Sequence, residues 1–175
     1  MQKILLVLLS SSLFMVACTS TTTENNDHLV DSFPSVEYSK VVAYHYDGSS
    51  GQNNNIIENG KLHPKILKEQ ELSEAKVQSF LEIVNDRNTY QGTYTRCFRP
   101  HLGIVFYDKD NKPKAHMSIC FECNVHVSTP EDKMWHELSQ EGLHGYSFEG
   151  RRKLVQFCKS LDFGHCNTEE ESDTH

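Results

Sequence analysis

Residues 101–122 carry two runs of side chains that alternate with a period of two, separated by one break. Leu102, Ile104 and Phe106 precede it, and Ala115, Met117, Ile119 and Phe121 follow it. Period two on both sides of a turn means two antiparallel strands joined as a hairpin. The break, residues 108–113, holds Asp108, Asp110 and Asn111, residue types that tolerate left-handed backbone, and Pro113, which is confined to a loop or a first strand position. A two-residue loop at Asp110 and Asn111 pairs Ile104 with Met117, Leu102 with Ile119 and His101 with Cys120. A four-residue loop slides the pairs by two and keeps the faces. Either way the seven apolar residues form a buried face, and His101, His116, Ser118 and Cys120 share the opposite one with Val105 and Tyr107.

This hairpin holds cysteines at its open end. Directly opposed Cβ atoms lie about 4.5 to 5.5 Å apart, so Cys97 is within bridging reach of Cys123, with Cys120 as the alternative partner. A second bridge, Cys158 to Cys166, would pin a last helix to the segment that follows it. A different chemistry fits the same residues. Cys120-Phe121-Glu122-Cys123 is a C-x2-C pair, and Cys97 with His101 on the paired strand completes a Cys3His set of the kind zinc takes, or copper in its reduced state. A thiol-redox role is the third reading, but a reactive C-x-x-C opens a helix, and here the following Asn124-Val125-His126-Val127 is not helical. No haem-attachment, nucleophile-elbow or H-E-x-x-H motif is present, so no catalytic residue is assigned.

The chain opens with one lysine, Lys3, then an apolar run over residues 4–16 and a small Ala17 before Cys18. This is the pattern of a secretory signal, residues 1–17, and the run is too short for a membrane span. Met15-Val16-Ala17-Cys18 resembles the lipobox of bacterial lipoproteins. That resemblance implies cleavage before Cys18, acylation of its thiol and of the new amino terminus, and anchoring in a membrane. Thr19 stands where an inner-membrane lipoprotein usually carries Asp, which by the same resemblance implies the outer membrane, facing the periplasm or the cell surface. Residues 18–35 are polar and threonine-rich and read as the lipidated cysteine plus a flexible tether. Residues 36–166 make one domain, and residues 167–175 an acidic, disordered tail. The formal net charge of −7 leaves no electrostatic footprint for nucleic acid.

Within the domain, residues 36–46 are rich in β-branched and aromatic types and read as a first strand, followed by a Gly/Ser/Asn loop. His45 in it is left unassigned. Residues 72–85 form the clearest helix, with Ser73 as N-cap, Leu72 and Val77 as hydrophobic staple, and Val77, Phe80, Leu81 and Val84 as apolar stripe. Residues 124–128 extend the sheet as an edge, and a short helix is expected near residues 131–138. Ser147 caps a second amphipathic helix over residues 148–161, with Gly164 as its stop. The order β-α-β-β-α predicts an α+β fold, an antiparallel sheet with two amphipathic helices packed on one face.

The segment CFRPHLGIVFYDKDNKP followed by ICFEC, behind a lipoprotein signal and a helix opening LSEAKV, resembles small lipoproteins of Bacteroidetes-type bacteria with a C…PH…ICFEC hairpin. The resemblance implies a similar fold and an envelope location, and carries over no activity. The expected function is a non-enzymatic binding or assembly module of the cell envelope, with another envelope protein as partner and no cofactor. It predicts oxidised cysteines and an exposed apolar patch around Val105 and Tyr107. The alternative is a zinc, copper or thiol-redox protein centred on Cys97, His101, Cys120 and Cys123.

Overall fold

A computed structural model describes residues 32–49 and 54–166. The signal segment, Cys18, residues 19–31 and the acidic tail lie outside the described residues. Among the described residues no helix is long and apolar enough to cross a membrane.

The fold is α+β, built on a five-stranded antiparallel sheet. Its strands are β1 (Lys40–Tyr46), β4 (Ile66–Glu71), β5 (Leu102–Tyr107), β6 (Pro113–Cys120) and β7 (Val125–Thr129), in the spatial order β4-β1-β5-β6-β7. A two-stranded ribbon, β2 (Ile57–Glu58) with β3 (Lys61–Leu62), and three helices, α1 (Glu74–Val84), α2 (Lys133–Gln140) and α3 (Phe148–Lys159), complete it. The expected order β-α-β-β-α is therefore corrected. What the expected order lacked is β4 on the far side of β1 and the ribbon before it; the expected edge segment is β7, and the expected short helix is α2.

The β5–β6 register pairs Leu102 with Ile119, Ile104 with Met117 and Phe106 with Ala115, then shifts at Tyr107, which lies opposite Pro113. The shift comes from the turn. Asn111 takes a φ of 59°, and the Asp108 carboxylate accepts the backbone N–H groups of Asp110 and Lys112, each at 2.9 Å. This is an Asx-type turn, and it inserts one residue more than a two-residue loop would hold.

Alternation divides two cores. On one face Val41, Ala43, Leu102, Ile104, Phe106, Ala115, Met117 and Ile119 join Val77, Phe80 and Val84 of α1, Leu138 of α2, and Leu154, Phe157 and Cys158 of α3. On the other face Val42, Tyr44, Tyr46 and Val105 are covered by Ile56 and Ile57. The expected exposed patch on that face is corrected, because Val105 is 0% exposed and His116, Ser118 and Cys120 are buried as well. Gly103 is what lets the cover settle: a Cβ there would stand 2.4 Å from Cγ1 of Ile56. The Ile56 N–H donates to Oγ of Ser118 at 2.8 Å, which satisfies a polar pair inside an apolar layer.

Local signals hold at the helix starts. Oγ of Ser73 accepts the Lys76 N–H, and Oγ of Ser147 accepts the Gly150 N–H at 3.0 Å. The stop of α3 differs from expectation: Asp162, not Gly164, takes the left-handed conformation after the helix, with a φ of 54°. The tether boundary also moves. Phe33 is buried against Phe106, ring centroids 5.6 Å apart, and the Asn85 side chain both accepts its N–H and donates to its carbonyl, at 2.9 and 2.8 Å. The folded body thus reaches back beyond residue 36.

Candidate functional site: the hairpin mouth

The strands β5 and β6 diverge at their open end, where Pro100 keeps residues 97–100 out of the ladder and residues 121–124 turn into β7. Asn124 closes that turn with a φ of 57°, and its side-chain amide donates to the carbonyls of Thr93 and Tyr146, both at 2.8 Å. The Thr95 N–H donates to the Cys123 carbonyl at 3.0 Å, which lays residues 95–97 alongside the turn. Cys97 and Cys123 are joined there by a disulfide, with Cα atoms 5.5 Å apart. A second disulfide joins Cys158 at the end of α3 to Cys166, Cα atoms 5.6 Å apart. Both expected pairings are present.

Cys120 is the one free cysteine among the described residues. It is buried, and burial pushes its thiol pKa up, against a smaller opposing effect of the Arg99 and Cys123 N–H groups that point at its sulfur from 3.4 and 3.2 Å. A thiol held above its ordinary pKa is a poor nucleophile at neutral pH. The C-x2-C pair sits at a strand end and a turn, with no helix N-terminus to lower either thiol.

Of the four residues expected to ligate a metal, three come together. The sulfurs of Cys97, Cys120 and Cys123 lie within 4.8 Å of one another. His101 does not join that group. Its Nδ1 lies 3.0 Å from the Tyr46 carbonyl, and its ring stacks on His165 with centroids 5.1 Å apart. The zinc or copper tetrahedron drawn from the sequence is corrected on this point, since two of its sulfurs are bonded to each other and its imidazole turns elsewhere. Arg99 and Glu122 form an exposed ion pair, 3.3 Å, across the rim, and such a pair contributes little.

Two other groupings had no signal in the sequence. One is His45 with His101 and His165, residues far apart in the chain. The other is a buried cluster under β7, where Tyr90, His126, Trp135 and Tyr146 pack ring against ring beside the carboxyl of Asp132. Asp132 caps α2, its Oδ1 accepting the Trp135 N–H at 3.2 Å. Its Oδ2 lies 3.1 Å from the Tyr90 hydroxyl and 3.7 Å from Nε2 of His126. Burial pushes the Asp132 carboxyl up and lowers His126 to about 3, so both are disfavoured in their charged forms.

Comparison with protein-family models, with curated proteins and with solved structures finds no match.

Proposed function

We propose that the chain is a lipid-anchored protein of the bacterial outer membrane, facing the periplasm or the cell surface, whose folded domain binds or assembles with another envelope protein and does not catalyse a reaction. One observation carries this reading. The hairpin mouth is closed by a disulfide, and its third sulfur is a buried thiol with a raised pKa, so no activated nucleophile is presented. Two bridges in one small domain fit an oxidising compartment outside the inner membrane, which is where a lipobox sends a chain. Acyl chains on Cys18, at about 0.8 kcal/mol per buried CH2, would supply stable membrane attachment without a spanning helix.

The test is intact mass combined with thiol alkylation on protein expressed with residues 1–17 in a lipoprotein-processing bacterium. The expected product lacks those residues, carries acyl mass on Cys18, and exposes one alkylatable thiol, Cys120, only after unfolding. An unprocessed amino terminus would refute the anchor.

The three sulfurs within 4.8 Å favour a second reading, in which a dithiol reductant passes two electrons to the Cys97–Cys123 bridge, itself becoming a disulfide, and the two thiols released join Cys120 as a three-thiolate site for zinc or reduced copper. Three alkylatable thiols at the mouth after unfolding, with a stoichiometric metal adduct in the native spectrum, would establish that reading over the first.

A further inference from the structure

Cys120 stands beside the bridge that closes the hairpin mouth, and its sulfur lies within 4.8 Å of both bridged sulfurs. Local structure holds it there. Cys120 is the last residue of β6 and pairs with Val125, the first of β7, so the chain folds back through residues 121–124 and brings Cys123 to it. The Cys123 N–H points at the Cys120 sulfur from 3.2 Å, and the Arg99 N–H does so from 3.4 Å.

The three sulfurs differ in their surroundings. Cys120 and Cys123 are 0% exposed, whereas Cys97 is half-buried. Cys97 follows residues 93–96, which are exposed and belong to no strand or helix, and Pro100 keeps it out of the ladder. A bridge between Cys120 and Cys123 would keep the two buried sulfurs inside. It would release the one cysteine of the three that solvent already reaches.

We propose that Cys120 is an internal exchange thiol, which moves the bridge from Cys97–Cys123 to Cys120–Cys123 and so frees Cys97 to form a mixed disulfide with a disulfide-bearing envelope protein. This rests on the assembly reading above and deepens it, because it names the residue through which a partner is held. The exchange balances without an added oxidant or reductant. The Cys120 thiol gives its proton to solvent and its thiolate attacks the Cys123 sulfur; the new S–S bond forms as the old one breaks, and Cys97 leaves with the electron pair. The Cys97 thiolate then attacks the partner's disulfide, bonds to one of its sulfurs, and releases the other as a thiolate, which takes up a proton.

The two N–H groups aimed at Cys120 favour its thiolate, while burial opposes ionisation more strongly. Exchange is therefore slow at neutral pH and speeds up as pH rises.

The experiment traps the native, oxidised protein, purified after export, with N-ethylmaleimide at pH 7 and pH 8, followed by acid quench and non-reducing peptide mapping. Cleavage at Arg96, Lys114 and Lys133 puts Cys97 on one peptide and Cys120 with Cys123 on another. The expected adduct sits on Cys97, its peptide no longer crosslinked to the other, and forms about tenfold faster per pH unit. Glutathione disulfide in place of the maleimide should leave one glutathione on Cys97. Unfolding in acid before alkylation stops exchange and should find the free thiol still on Cys120. Cys120→Ala should keep the Cys97–Cys123 bridge and give neither product, and Cys97→Ala treated with glutathione disulfide should form the Cys120–Cys123 bridge.

A native-state adduct on Cys120 or Cys123, or none at either pH, would overturn the proposal. So would two unbridged thiols in Cys97→Ala, or a maleimide adduct with no glutathione counterpart. An adduct on Cys18 would count against the lipid anchor alone, so the anchor and the exchange fail separately.

Discussion

Replacing His126 by phenylalanine is expected to leave the protein about as stable at neutral pH and markedly more stable in mild acid. His126 is 2% exposed, and neither ring nitrogen has a hydrogen-bond partner among the described residues. A phenyl ring of similar volume loses no hydrogen bond, so the change near pH 7.5 should stay within about 1 kcal/mol. The acid effect follows from linkage. Burial lowers the folded pKa of His126 from 6.5 to about 3, so its stability contribution is complete above 6.5 and is lost as pH falls towards 3. Two pH units below 6.5 that loss is about 3 kcal/mol, at 1.36 kcal/mol per unit.

Asp132 acts in the opposite sense, because a carboxyl with a raised pKa contributes stability below its unfolded value and loses it as pH rises through the folded one. Both chains keep Asp132, and both keep His45 and His116, whose pKa values burial also lowers. Because the Asp132 carboxylate lies 3.7 Å from Nε2 of His126, the difference between wild type and His126→Phe reads the histidine together with its effect on that carboxyl. Urea unfolding of both proteins at a series of pH values from 7.5 to 4.5 measures it. Parallel acid limbs would refute the reasoning, and a large loss at pH 7.5 would mean that the ring nitrogens have partners.

Removing the Cys97–Cys123 bridge by a double serine substitution frees a 26-residue separation and should lower unfolding free energy by about 3.5 kcal/mol, against about 2.5 for the 8-residue Cys158–Cys166 bridge, both readable by urea unfolding. Gly103→Ala pushes a methyl into Ile56 and should destabilise by about 1 to 3 kcal/mol, with protease cleavage appearing in residues 54–62 if the cover lifts. Asn85→Ala removes both hydrogen bonds to Phe33 and should cost about 1 to 2 kcal/mol, with residues 32–35 becoming the first site of proteolysis; unchanged cleavage kinetics would show that the Phe33 ring alone holds the segment.

What could be read from the chain beforehand is what is decided within a few residues. The hairpin faces, the Ser73 and Ser147 caps and the bridge at the hairpin mouth each depend on local spacing, and the structure has them. β4, by contrast, reads Ile-Leu-Lys-Glu-Gln-Glu, an edge strand whose exposed charged residues blunt it and erase its alternation. The cover over Val105 comes from Ile56 and Ile57, two apolar residues at the end of an asparagine-rich stretch that composition marks as loop. His101 misled because its ring turns to the Tyr46 carbonyl and to His165, away from the sulfurs, a choice that strand alternation does not encode. The imidazole cluster had no local signal, since sheet order and the return of the chain after α3 assemble it.

Phe33 fixes the point at which the chain enters the folded body. It packs on Phe106, beside the turn end of β5, whereas Leu102 marks the other end of the same strand, about 14 Å away at roughly 3.4 Å per residue. A lipid on Cys18 would therefore leash the domain by one pole, while the sulfurs and imidazoles occupy the opposite pole. Shortening the leash would draw the turn end towards the headgroups first, and the chemistry-bearing end would be the last part of the molecule to meet the membrane.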